Sequence, residues 1–418
     1  MWTAGGGGHG GAHLLERADG GVEIVGLEAG PLGNSLVTLP VQVRGGVDLR
    51  ERSLGRRRRR ALVRATLRLR GPSRRFAGCG RSIVSLDSMV QVKVAEEVAH
   101  FSGLLTCGLV WVCPVCSAKI RYQRSVEVEM LLTAALELGY GVEFVTLTAR
   151  HHLGQGLRDL FGRCERAWGA MRVDKSFRAL MARFGLRFVT VREVTYGQVN
   201  GWHPHRHIAA VTSHPLSEVE RAALEEGFWR AWSHQLQRVG LDAERGPGVL
   251  VKPCTSTAGL SSYLLKVGGD DLEVRPAALE LVRADLKRGK GGHRNPEEIA
   301  EDFVDTGDLA DLALLQEYWA ATKGRQMMTW SNGLKAELLP KQAEQSDEEL
   351  AALDQGGEVL MKIGRGAWGR VLDLGLAVRL LEVAEEGGRE GLCALMRAVA
   401  PDDDWQPVRA ALSEGGAL

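Results

Sequence analysis

An α+β fold built on an antiparallel sheet is the architecture this sequence predicts, and three observations carry the prediction. Between residues 142 and 267, β-rich runs and helical periods follow one another in an ordered succession. Two of the β-rich runs are separated only by a turn-like stretch at residues 196–201, as the strands of a hairpin are. The run Ser217-Glu218-Val219-Glu220 has the pattern of a capping box, which marks where the chain re-enters a helix.

Residues 142–148 form an apolar, β-rich run, the pattern of a buried strand. Leu157, Leu160, Phe161, Cys164, Trp168 and Met171 recur at helical spacing. Residues 187–195 read as a strand, and residues 204–212 as the strand returning from the turn. The capped helix runs to about Val239, a short strand covers residues 249–252, and a short helix residues 257–267. In order this is βαββαβ and one more helix, the ferredoxin-like order, in which helices lie on one side of the sheet.

Around this core the chain divides by composition. Residues 1–75 are expected to be a disordered arm, Gly-rich and then Arg-rich. Residues 76–140 form a small cysteine-bearing lobe and a helix, 141–268 the core, 269–340 an inserted loop with a helical extension, and 341–418 an acidic helical accessory region. Net charge is only +1, yet residues 50–75 hold twelve Arg against one Glu, and residues 341–418 carry a balance of −7. Arg56, Arg57, Arg58, Arg59 and Arg60 are therefore either phosphate contacts or a solvated tail. No apolar stretch approaches about 18 residues, so a membrane span is not expected. The N-terminus has no apolar secretory segment, and seven cysteines without an export signal point to a reducing cytoplasm.

Alternate residues of a strand share a face, so His205 and His207 point to one side about 6–7 Å apart along the chain. Two neutral imidazoles on a rigid strand are half of a divalent-metal site; the alternative is a turn with surface histidines. Glu193, on the strand before the turn, is either a third ligand or a charge partner of Arg192 or Arg206. His203 has the same parity but adjoins Pro204, while His151 and His152 read as loop residues or DNA contacts. Tyr263 and Lys266 share one face of the last short helix. A nearby ammonium favours the phenolate of a tyrosine whose free pKa is about 10. Such a tyrosine is a nucleophile towards phosphorus or, alternatively, a core anchor. Cys113 and Cys116 form a CxxC with Cys107 and Cys79 upstream. A structural zinc held by all four cysteines, a redox pair and buried thiols all fit that pattern, and zinc suits a small lobe best. Cys164, Cys254 and Cys393 read as core thiols. Gly364-Arg365-Gly366-Ala367-Trp368-Gly369 matches a phosphate-loop pattern, but nothing that such a loop needs follows it, so it reads as a turn.

Trp202-His203-Pro204-His205-Arg206-His207 resembles the HUH motif of rolling-circle replication initiators. Phe144-Val145-Thr146-Leu147-Thr148 resembles their first motif and Tyr263-Leu264-Leu265-Lys266 their catalytic YxxK, in the family's order. The four upstream cysteines and Thr329-Trp330-Ser331-Asn332-Gly333-Leu334 are similar to plasmid initiators of the actinobacterial type. The resemblance spans about residues 75 to 340. It implies an HUH endonuclease core in which His205 and His207 hold a divalent metal, Mg²⁺ or Mn²⁺, and Tyr263 attacks a DNA phosphodiester beside Lys266. It implies a 5′-phosphotyrosine link, a 3′-hydroxyl primer at a plasmid origin, and a host polymerase and helicase as partners. Single-stranded DNA at the nick needs basic and aromatic groups, for which Trp202, Lys252 and Lys266 stand. Relaxases and transposases of the same superfamily, and a zinc-containing DNA-binding regulator without catalysis, are the competing readings. Two positions depart from the pattern: Arg206 stands where relatives carry an apolar residue, and is expected to point away from the metal. Gly259 occupies the position of a Glu that helps some relatives end the cycle.

Overall fold

The computed structural model describes residues 3–4, 13–16, 22–25, 49–95, 98–254, 292–339, 344–401 and 404–408. In chain order the elements are β1 (Thr3–Ala4), β2 (His13–Glu16), β3 (Val22–Val25), α1 (Leu49–Leu67), α2 (Arg74–Gly78), β4 (Val90–Ala95), β5 (Val98–Ser102), α3 (Pro114–Glu137) and β6 (Gly141–Thr148). They continue with α4 (Leu157–Val173), α5 (Lys175–Phe184), β7 (Arg187–Gly197), β8 (Gly201–Thr212), α6 (Glu218–Arg238) and β9 (Val249–Pro253). After residue 291 come β10 (His293–Arg294), α7 (Pro296–Thr306), α8 (Leu309–Thr322), β11 (Met328–Trp330), α9 (Leu334–Leu338), α10 (Asp347–Ala352), β12 (Glu358–Ile363), α11 (Arg365–Asp373), α12 (Ala377–Val399) and β13 (Trp405–Pro407). They group into two units: Met1–Leu69, Ser73–Gly108 and Ala351–Leu418 form one, and Arg70–Pro72 with Leu109–Leu350 the other. No helix among the described residues is long and apolar enough to cross a membrane.

The second unit is an antiparallel sheet in the order β10-β7-β8-β6-β9, with β11 also pairing with β7. The hairpin of β7 and β8 closes through a turn ending at Gly201, whose φ of +75° favours glycine. Helices α4 and α6 pack on one face. Every apolar position picked out by helical spacing in α4 is buried, from Leu157 to Met171. The Ser217 capping box forms and opens α6. Phe177, Phe188 and Phe228 interlock between helices and sheet, with Phe177 and Phe228 edge to face at 5.0 Å. Burying side chains of this size stabilises by roughly 1.5–3 kcal/mol each.

Two expectations change here, and a third falls outside the described residues. The described part of the expected inserted loop is β10 and α7, the latter begun by Asn295 and Glu298 in a second capping box. The helical extension expected within residues 269–340 breaks at Lys323 and is followed by β11, where Thr329 and Trp330 pair with Thr190 and Val189 on β7. The short helix of residues 257–267 lies outside the described residues.

The first unit contains a four-stranded antiparallel sheet in the order β13-β12-β4-β5. Its core holds Val90, Val92, Met361, Ile363, Trp368, Leu380, Leu392 and Met396. Residues 351 onward are thus not a separate accessory region: β12 pairs with β4, Ile363 opposite Val90. Each strand presents an apolar face that needs a sheet partner, and each finds it far away in sequence. Residues 3–4, 13–16 and 22–25 form a small sheet of their own. The Arg-rich segment is not a disordered arm but helix α1, with Val63 and Leu67 buried. Arg57 pairs with Glu385 at 2.8 Å and Arg58 with Glu382 at 2.5 Å, both on α12. Arg57 also donates to the Ala99 carbonyl (2.9 Å), while the Ala99 amide donates to Glu385 (2.7 Å). Arg56, Arg59 and Arg60 are not free either. The acidic surplus of the C-terminal region explains the change, since part of it neutralises α1 directly. The glycine-rich hexapeptide is the junction of β12 and α11, with Trp368 buried and donating to the Arg81 carbonyl at 2.7 Å.

Candidate functional site

Strand β8 lies between β7 and β6, and its register decides the site. His205 is opposite Glu193 on one side and Thr148 on the other; His207 is opposite Val191 and Thr146. The Glu193 Oε2 atom lies 3.0 Å from His207 Nε2 and 3.3 Å from His205 Nε2. All three side chains are largely shielded, at 8, 15 and 12% exposed for Glu193, His207 and His205.

The outer nitrogen of His205 fixes its tautomer. His205 Nδ1 lies 3.2 Å from the His203 carbonyl, which can only accept, so Nδ1 carries the proton and Nε2 the lone pair. His207 Nδ1 is 3.2 Å from Thr146 Oγ1, which can accept in the same way. The Nε2 atoms of His205 and His207 converge with the Glu193 carboxylate, and the three together could hold a metal ion. Adjacent ligands of an octahedral ion with bonds of about 2.1 Å are about 3.0 Å apart, close to the separations seen here. Two imidazoles and a carboxylate make a donor set that could hold a metal ion.

Arg206 points to the other face, as alternation requires. It is buried and bonded to Glu165 of α4 and to Thr190 Oγ1 (3.3 Å), and it lies 5.0 Å over the Trp168 ring. Burial pushes the guanidinium down to about 10, against the raising effect of Glu165. Arg192, opposite Arg206 on β7, makes two 3.0 Å bonds to the same carboxylate. Burial pushes the Glu165 carboxyl up, but Arg206 and Arg192 outweigh it and hold it below the usual value. One carboxylate thus ties both strands that carry the histidine–glutamate group.

Beyond the group, His203 stacks on His151 with centroids 4.5 Å apart. Burial, then the neighbouring imidazoles of His205, His151 and His293, pushes His203 down to about 3. A pocket of about 830 Å³ opens beside this stack, bordered by Thr148, Arg150, Gln155, Asn200 and Asp242 among others.

Trp202 does not lie at a DNA-facing surface. Its ring is 2% exposed, stacks on Tyr318, and donates to Glu317 Oε2 at 2.8 Å. Being large and apolar, it was recruited by the core, and its N–H found the partly buried carboxylate of Glu317. Glu317 also accepts the Leu157 amide at the start of α4 (2.6 Å). Lys252 is exposed on edge strand β9. Tyr263, Lys266 and Gly259 lie outside the described residues. Thr146, Glu165 and Glu317 escape a reading of the sequence, since their partners are between 27 and 160 residues away.

Cys79, Cys107, Cys113 and Cys116 are all buried, with their sulfurs within 4.8 Å of one another, and together they can hold a metal ion such as zinc. Cys113 caps α3, and its sulfur accepts the Cys116 amide at 3.5 Å. Sulfurs of a tetrahedral zinc site with bonds of about 2.3 Å are about 3.8 Å apart, so the cluster fits.

Among known proteins, the Protein rep of Streptomyces lividans is 30% identical over 382 aligned residues, which cover 73% of this chain and 81% of that protein. The Neomycin resistance protein of Streptomyces cyanogenus is 31% identical over 144 residues, covering 28% of this chain and 33% of that one. No protein-family model matches the chain, and no solved structure does.

Proposed function

The chain belongs to the family of the Streptomyces Rep protein, and from that membership we propose that it initiates rolling-circle replication of a plasmid by nicking one strand at the origin. The observation that carries the proposal is the convergence of Glu193, His205 and His207 on adjacent strands. The strand order β9-β6-β8-β7 supports it: counted within the core this is fourth, first, third, second, the ferredoxin-like arrangement on which HUH endonucleases are built.

In this reading, Glu193, His205 and His207 hold Mg²⁺ or Mn²⁺, which supplies Lewis-acid polarisation of the scissile phosphate. The Tyr263 phenolate oxygen forms a bond to phosphorus, and the bond from phosphorus to the 3′-oxygen breaks. The departing oxygen takes a proton and becomes the 3′-hydroxyl that a host polymerase extends; the 5′ end remains esterified to Tyr263. Lys266, three residues on in the sequence, favours the phenolate over the phenol. The phosphotyrosine ester conserves the energy of the broken bond for rejoining. Tyr263 and Lys266 enter on the sequence motif alone. Lys252 contributes a cation near the single strand. The four-cysteine group holds structural zinc; it also supports a second reading, a zinc-containing DNA-binding regulator without cleavage.

A covalent-adduct assay separates the two. Single-stranded origin DNA with Mn²⁺ is expected to give a protein–DNA band that survives denaturation, disappears with EDTA and is absent from Tyr263→Phe. Tight binding without any adduct overturns the nuclease reading in favour of the regulator.

A further inference from the structure

Helix α4 turns Leu160, Cys164, Ala167 and Met171 inward. Its solvent face has an unusual make-up. Arg158, Arg166 and Arg172 are exposed there, beside Asp159, which Arg163 pairs at 2.7 Å, and the exposed Val173 near the helix's end; Gly162 and Gly169, seven residues apart, lie along the middle of the same face. Neither Arg158 nor Arg166 has a carboxylate partner among the described residues. Arg172 rests over the Trp168 ring at 5.6 Å, and Arg325 over Phe161 at 4.8 Å.

The glycines have no local reason to be there. A Cβ at Gly169 would meet nothing within 4 Å, and one at Gly162 would meet only the guanidiniums of Arg166 (3.6 Å) and Arg325 (4.0 Å). Both positions have ordinary helical backbone, since neither is among the positive-φ glycines. Glycine is among the poorest helix formers, so alanine would be better at each position if the helix alone mattered. A face bare along its middle and fringed with arginine suits a partner whose backbone comes close to the helix and is strongly anionic.

We propose that this face of α4 docks the sugar–phosphate backbone of duplex DNA. The proposal rests on the DNA-processing reading above. Arginine forks match phosphate oxygens in pairs, and the 17-residue helix offers about 25 Å of contact length. A protein partner would need an apolar centre, and the centre here is glycine, with Val173 exposed only at the last residue of the helix. Single strands need exposed rings for stacking, and Trp168 is buried beneath Arg172. Arg206 and Glu165 place α4 on the sheet face opposite the histidines, so duplex held here lies apart from the strand being cut.

The test uses the full chain and a duplex oligonucleotide of about 25 base pairs, titrated at several NaCl concentrations. Each lost phosphate contact lowers the slope of log K against log salt by about 0.9, so Arg158→Gln/Arg166→Gln is expected to flatten it by about 2. Gly162→Ala/Gly169→Ala is expected to melt at a higher temperature and yet bind duplex more weakly, with single-strand binding unchanged. That combination cannot come from a damaged fold. A wild-type slope in the arginine variant, or wild-type duplex affinity in the glycine variant, overturns the proposal. Adduct formation on single strands is scored in parallel. Loss of the adduct in wild type with a flattened slope in the variant refutes the nuclease reading alone; a normal adduct with an unchanged slope refutes the docking face alone.

Discussion

Replacing Glu165 by Gln removes the carboxylate to which both Arg192 and Arg206 are bonded, while keeping its size and one acceptor oxygen. What remains is a charged Arg206 that is 6% exposed, with a long bond to Thr190 and the face of Trp168 as its compensation. Taking one partner from a fully buried pair costs about 3–5 kcal/mol. Glu165 itself is 19% exposed and Arg192 14%, so water softens the loss, and about 2–3 kcal/mol is expected. The assay is hydrogen exchange of β8 amides in increasing urea, which reads this sheet alone. The same variant should bind Mn²⁺ more weakly, because the strand spacing that holds His205 and His207 against Glu193 is loosened. A loss below about 1 kcal/mol with unchanged Mn²⁺ affinity would refute the idea that one carboxylate holds the two strands in register.

Glu165 also sets a pH dependence. Its folded pKa is depressed, so its stabilisation is complete above the unfolded value of about 4.3 and drains away as pH falls through the lower folded value; acid unfolding of Glu165→Gln should show less of that decline. Cys113→Ser, or chelation of the wild type, is expected to remove one zinc per chain by elemental analysis and to expose Cys79, Cys107 and Cys116 to alkylation. Gly141→Ala places a methyl against the His214 carbonyl (2.5 Å) and Pro215 Cα (2.9 Å) at the start of β6, and should cost about 1–3 kcal/mol in thermal unfolding. His207→Ala should abolish Mn²⁺ binding in calorimetry, since it removes one of the three converging ligands.

What could be read from the sequence was local. Alternation places His205 and His207 together, and a hairpin whose turn is visible brings Glu193 opposite His205. The faces of α4 and α6 follow from a 3.6-residue period because nothing distant competes with it. Pairing over long separations left no such trace. The β4–β12 ladder joins strands more than 250 residues apart, and each strand alone looks like any apolar run. Trp202 misled for a related reason: next to a motif an aromatic ring looks like a stacking platform, but its burial was decided by Tyr318 and Glu317, far along the chain.

The arrangement of Arg57 changes how a shortened chain should behave. Starting the protein after residue 75 would do more than lower its affinity for a polyanion. It would leave the Ala99 carbonyl without its donor and Glu385, 4% exposed, without its cation. A genetic trim at that point would therefore show up first as poor yield and aggregation, and only afterwards as weak binding. Protease digestion offers the mirror image. A stretch of five successive arginines is ordinarily the first place trypsin cuts, but one wound into a helix and clasped by α12 should outlast many isolated lysines on the surface.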